Sequence, residues 1–107
     1  MFELVVDMDS SEGSGKVILL RGEIDIYSAP DFKDNLFQAM GDCREDIVLD
    51  CSELGYIDSM GLGIMVAALK RARQNDRNIR IRNPRTNVKK LFKITGLDKV
   101  FIMEELK

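Results

Sequence analysis

The order in which two kinds of apolar spacing follow one another constrains this chain more than any other feature. Phe2 to Val6 and Lys16 to Arg21 are β-branched and Leu-rich runs, separated by Asp9-Ser10-Ser11-Glu12-Gly13-Ser14-Gly15, whose composition is that of a turn. The two runs read as a hairpin. Phe32, Leu36, Ala39 and Met40 then fall at helical spacing. Ser28 is a candidate cap for that helix, Pro30 and Asp31 suit its first turn, and Gly41 stops it. Ile47-Val48-Leu49 reads as a short buried strand with Gly55 and Tyr56 in its trailing loop. Ser59 is a candidate cap for a second helix, which runs to about Gln74 and turns Leu62, Met65, Val66 and Leu69 inward. Asn78 to Arg82 alternates Ile with Arg as a strand wetted on one face does. Asn83 and Pro84 open a third helix with Val88, Leu91 and Phe92 inward and Gly96 at the left-handed C-terminal position. Val100 to Met103 is the last strand.

The predicted order is β-β-α-β-α-β-α-β. Three successive strand-helix-strand units imply right-handed crossovers and a mainly parallel sheet, to which the hairpin adds an antiparallel edge. The fold class is therefore α/β, a mixed, mainly parallel five-stranded sheet with three main helices packed on it. With 107 residues, 45% of them apolar, one domain over 1–107 is expected to build its own core.

The composition excludes much chemistry. The chain has no histidine, which removes Ser-His-Asp and Cys-His catalysis and His-ligated metal. Its two cysteines, Cys43 and Cys51, form no CxxC and are expected to be reduced thiols, Cys51 packed at a strand end. The N-terminus carries acids where a signal peptide has Lys or Arg, and the longest apolar run, Met60 to Leu69, is about half a membrane span. A soluble, cytoplasmic protein with no membrane role is expected.

The net charge of −2 hides an asymmetry. Residues 1–53 hold 13 acids and 4 bases, and residues 54–107 hold 5 acids and 12 bases. Lys70 to Lys93 contains ten bases and one acid, Asp76, which is either an electrostatic footprint for an acidic partner or the solvated faces of a strand and two helices. Phe92 is the one aromatic residue among those bases and is expected inward, so no stacking surface interleaves them and a nucleic-acid role is not expected.

The stretch with most chemical content is Ile57-Asp58-Ser59-Met60-Gly61-Leu62-Gly63. It sets an Asp-Ser pair at a helix start, where backbone N–H groups and the helix dipole tolerate a phosphate. Gly61 and Gly63 weaken the first turns by up to about 1 kcal/mol each. Either they let another surface approach the backbone, or they permit close helix-sheet packing. A nucleophile elbow would need glycine at position 57, which is Ile, a dinucleotide fingerprint fails at Val66, and no phosphate-binding G-x-x-x-x-G-K occurs. Asp58-Ser59-Met60 is similar to the Asp-Ser-Leu of acyl carrier proteins, but those are all-helical, against the strand signals here. Asp50 at a strand end is similar to the acceptor of response regulators, whose paired acids and lysine are missing.

Three segments together resemble the anti-sigma-factor antagonists, bacterial proteins built on the STAS domain. They are Gly22-Glu23-Ile24-Asp25-Ile26-Tyr27-Ser28-Ala29-Pro30, Ile57 to Gly63, and Leu91-Phe92-Lys93-Ile94-Thr95-Gly96-Leu97, in matching order across nearly the whole chain. Tyr-Ser-Ala-Pro after Gly-Glu-Ile-Asp is most similar to the general-stress branch. The resemblance implies a STAS-type fold and a phospho-acceptor serine at the start of the second helix, here Ser59. Met60 stands where a second Ser or Thr is common. The resemblance also implies an anti-sigma factor with serine kinase activity as partner, a PP2C-type phosphatase that removes the phosphate, and no cofactor of the chain's own, ATP and magnesium belonging to the kinase. The expected partner-binding face comprises Asp25, Ser28, Asp58, Ser59, Met60, Gly61, Leu62 and Gly63. Such a chain binds and is not an enzyme. The alternatives are a STAS interaction scaffold that is never phosphorylated, a small carrier protein, and a nucleic-acid binder.

Overall fold

Each predicted strand and helix forms, in the predicted order, although several ends differ. A computed structural model describes residues 1–7, 16–41 and 44–104. It holds strands β1 (Phe2–Asp7), β2 (Lys16–Ile24), β3 (Ile47–Ile57), β4 (Ile79–Arg82) and β5 (Ile102–Glu104). Helices α1 (Ala29–Met40), α2 (Ser59–Arg73) and α3 (Thr86–Thr95) connect them, with a 3-10 turn at Leu97–Lys99. The expected turn at 9–15 and Cys43 lie outside the described residues.

The sheet order is β1-β2-β3-β4-β5, with β1 antiparallel to β2 and the remaining neighbours parallel. Each crossover therefore steps to the next strand in one direction. Crossovers of one hand stepping one way put every helix on the same side of the sheet. The buried cluster fits that arrangement: Ile18, Leu20 and Ile24 of β2, Ile47, Leu49 and Cys51 of β3, and Ile79 and Ile81 of β4 meet side chains from all three helices. Phe32, Leu36 and Met40 come from α1, Leu62, Met65 and Leu69 from α2, and Val88 and Phe92 from α3. Leu91 and Val66, also expected inward, are half-buried at its margin.

The strand expected at Ile47 to Leu49 continues to Ile57. β3 uses eleven residues to accompany the nine of β2, because the register shifts between Leu19 and Arg21 and again between Gly22 and Glu23. Each shift inserts one extra residue on β3 as a bulge. Inward residues alternate as far as Cys51 and then fall at Leu54 and Ile57, so Gly55 and Tyr56 are strand residues and not loop. Cys51 is consequently buried in mid-strand, and burial pushes its thiol up to about 12. Gly22 sits at the second shift with φ +96°, where a Cβ would lie 2.6 Å from the Met1 carbonyl oxygen. The Glu23 N–H donates to that oxygen at 2.8 Å. Only glycine fits there.

α3 starts later than Asn83 and Pro84 suggest. The Asn83 N–H donates to the Glu104 carbonyl at 2.7 Å with φ +52°, which ends β4 in a left-handed turn, so the helix begins at Thr86. The Gly96 prediction holds, at φ +77°. The turn after it delays β5 to Ile102.

Candidate functional site

The parallel strands β2 and β3 finish side by side, Ile24 opposite Ile57, and the Asp58 N–H donates to the Ile24 carbonyl at 3.2 Å. That bond carries the pairing one residue past the strand end and holds Asp58 extended, at φ −103° and ψ −174°. Extended backbone immediately before a helix is the geometry of an N-cap. Asp58 Oδ1 accepts the N–H groups of Met60 and Gly61, both at 3.1 Å, and the Asp58 carbonyl accepts that of Leu62 at 3.0 Å. Asp58, not Ser59, is therefore the cap of α2. The expectation fails because two good capping residues stand next to each other and only the sheet decides which is extended. Ser59 is the first helical residue, exposed and free of capping duty.

A similar correction applies before α1. Ser28 has helical backbone angles and makes no side-chain cap bond to the helix. Asp25 holds the turn, its Oδ1 accepting the N–H groups of Tyr27 and Ser28 at 3.0 Å each and its carbonyl accepting the N–H of Ala29 at 2.9 Å. Ser28 Oγ reciprocates by accepting the Asp25 N–H at 3.0 Å. The Ser28 N–H is the main reason that the Asp25 carboxyl lies below the usual range, and the Ser28 hydroxyl and Tyr27 N–H act the same way against desolvation. This turn drives Ile26 and Tyr27 outward, Tyr27 to 90% exposure.

The eight residues expected to form one binding face divide. Asp25, Ser28, Asp58, Ser59 and Met60 lie at the C-terminal edge of the parallel strands, where loops of α/β sheets converge. Met60 is 51% exposed. Leu62 is in the core, and so is Gly61, where a Cβ would come within 2.6 Å of Ile57 Cγ1 and 2.9 Å of Ile24 Cγ2. Gly61 thus serves close helix-sheet packing. Gly63 faces open space, with nothing within 4 Å of a Cβ.

Ser59 also borders a groove of about 460 Å³ between the start of α2 and α3, lined by Tyr56, Ile57, Asp58, Asn87, Val88, Lys90, Leu91 and Ile94. Asn87 fixes its far wall, donating from Nδ2 to the Gly55 carbonyl at 2.8 Å. A smaller concavity on the other side, about 310 Å³, is lined by Met1, Phe2, Asp25, Tyr27, Ser28 and Asp31.

The sequence profile of the STAS domain matches residues 6–107. The chain belongs to the STAS family. The anti-sigma-B factor antagonist of Staphylococcus aureus is 34% identical over 84 residues, 78% of each chain. An anti-sigma factor antagonist from Mycobacterium paratuberculosis is 26% identical and superposes with a TM-score of 0.76 over 97% of this chain and 86% of that one. The same fold recurs at 21% identity in SpoIIAA, with a TM-score of 0.76 for its unphosphorylated form (98% of this chain, 89% of that) and 0.70 for the phosphorylated Bacillus form (98% and 92%).

Within this STAS domain, the groove's α3 wall is what the residue reading did not assign to the site. Its signal was present in Ile94, an apolar residue off the buried stripe of α3 and 80% exposed. The Lys70 to Lys93 bases do not form one strip. Arg80 and Arg82 pair with Glu104, Arg85 donates to the Ser52 carbonyl, Arg73 to that of Val100 and Arg71 to that of Gly41. Among the described residues no helix is long and apolar enough to cross a membrane, and no three His, Cys, Asp or Glu side chains gather as a metal site.

Proposed function

We propose that the chain is an anti-sigma-factor antagonist of the general-stress type. It binds an anti-sigma factor that is also a serine kinase, and so releases the sigma factor, while Ser59 is unmodified. Phosphorylation of Ser59 ends the binding, ATP and magnesium coming with the kinase, and a PP2C-type phosphatase restores it. The chain itself is no enzyme and works in the cytoplasm.

The observation that supports this reading most is the position of Ser59, exposed at the first residue of α2, next to Asp58 and on the strand-end edge that also carries Asp25. A phosphoryl group there adds about −1.5 to −2 charge to an edge already acidic. A partner surface fitted to a neutral hydroxyl meets like-charge repulsion and an unpaired charge, roughly 2–5 kcal/mol, or about 30-fold to several thousand-fold in affinity. The names of the relatives in Staphylococcus and Mycobacterium support the partner class.

Incubation with the anti-sigma kinase of its own cell and ATP tests the assignment. Wild type gains about 80 Da on Ser59 and the Ser59→Ala protein gains nothing, as one phosphoryl group requires. Calorimetry then shows Ser59→Ala binding the kinase and Ser59→Asp binding far more weakly. Stoichiometric label in Ser59→Ala, or equal affinity of Ser59→Asp and wild type, removes the reading. A mass increase of about 340 Da in protein from the native cell marks a carrier instead.

A further inference from the structure

A phosphoryl group on Ser59 finds the anion seat of the helix start taken except for the first N–H, that of Ser59 itself. The N–H groups of Met60 and Gly61, which an uncapped helix offers to an anion, both donate to Asp58 Oδ1 at 3.1 Å, and the N–H of Leu62 donates to the Asp58 carbonyl. The Asp58 carboxylate also repels a dianion attached to the next residue. On the β2 side the neighbouring concavity is walled by the carboxylates of Asp25 and Asp31. The remaining direction is the groove toward α3, which Ser59 borders. Its lining contains one cation, Lys90, exposed and with no hydrogen-bond or ion-pair partner among the described residues. Asn87 is occupied with the Gly55 carbonyl, and the other groove walls, Tyr56, Leu91 and Ile94, offer no positive charge.

We propose that the phosphoryl group of modified Ser59 turns into the groove between α2 and α3 and is held there by Lys90, not by the helix N-terminus. The inference rests on the reading of Ser59 as the phospho-acceptor. It assigns Lys90 as a positioning residue of the modified state: the ammonium keeps the dianion lying over the apolar surface of Tyr56, Leu91 and Ile94. The phosphorylated chain then withdraws that surface from a partner as well as adding charge. No backbone rearrangement is needed, because Asp58 keeps its cap bonds throughout.

The test places phosphoserine at position 59 by genetic encoding, so that no kinase takes part, and follows the phosphate by 31P NMR against pH at low salt. An ordinary phosphoserine has its second pKa at about 6. A nearby ammonium favours the dianion, so wild type titrates lower, and Lys90→Ala moves the titration upward by roughly half to one pH unit. Lys93→Ala removes the same charge from the same helix but from outside the groove, and leaves the titration unchanged. Circular dichroism of both variants verifies the fold. If Lys90→Ala and Lys93→Ala titrate alike, Lys90 does not hold the phosphate and the proposal is overturned, while the acceptor assignment stands. If the kinase labels another residue, the acceptor assignment fails independently of the titration.

Discussion

Alanine at Gly61 and alanine at Gly63 change stability in opposite directions, although the two glycines are separated by one residue of the same helix. At position 61 a Cβ would lie 2.6 Å from Ile57 Cγ1, 2.9 Å from Ile57 Cδ1 and 2.9 Å from Ile24 Cγ2. Ile24 and Ile57 are 0% and 3% exposed and belong to paired strands, and β-branched side chains are stiff at χ1, so neither ring of contacts yields cheaply. Forcing a methyl into a packed core costs about 1–3 kcal/mol. Alanine returns up to about 1 kcal/mol of helix propensity, which leaves Gly61→Ala less stable by up to about 2 kcal/mol. At position 63 nothing lies within 4 Å of the Cβ, so only the propensity gain remains and Gly63→Ala is more stable by up to about 1 kcal/mol. The propensity gain is common to both, so the two variants differ by the packing cost of about 1–3 kcal/mol, roughly 4–13 °C in Tm for a domain of this size. Urea and thermal unfolding measure both. Gly61→Ala as stable as Gly63→Ala would refute the packing argument and return Gly61 to the binding face; partner affinity lost by Gly61→Ala while the fold persists would do the same.

The cap assignment predicts that Asp58→Ala lowers stability by about 1 kcal/mol, whereas Ser59→Ala stays within about 0.5 kcal/mol; urea midpoints in the reverse order would make Ser59 the cap. Asp25 has its folded pKa below the unfolded value, so its stabilising contribution is present above about pH 4 and is lost as pH falls through the lowered value. Asp25→Asn should therefore flatten the fall of Tm on the acid side, and an unchanged acid limb would show that the turn around Ser28 does not hold the carboxylate. Cys51, buried and with its thiol pushed up to about 12, should resist alkylation in the native protein at pH 8 and react in urea, peptide mapping separating it from Cys43. Native modification of Cys51 at the rate of a free thiol would mean that β3 opens locally.

Apolar spacing alone determined the order of strands and helices, the parallel sheet with its antiparallel edge, and the inward faces of α1, α2 and α3, because period 2 and period 3.6 each place a side chain relative to its own element. The quoted segments around Asp25, Ser59 and Leu91 carried the family, since they combine residue types that the local backbone requires. Relations between elements lay beyond that reach. The length of β3 depends on two bulges that exist only against β2, and they break the alternation by which a strand is recognised. Asp58 and Ser59 are equally good capping residues in a line of text, and the hydrogen bond from Asp58 to Ile24, across two strands, selects the first. Gly61 and Gly63 differ only in what stands opposite them, Ile24 and Ile57 in one case and solvent in the other. The groove beside Ser59 takes one wall from β3 and the other from α3. No periodicity within either element records that meeting, and the tertiary structure alone decided it.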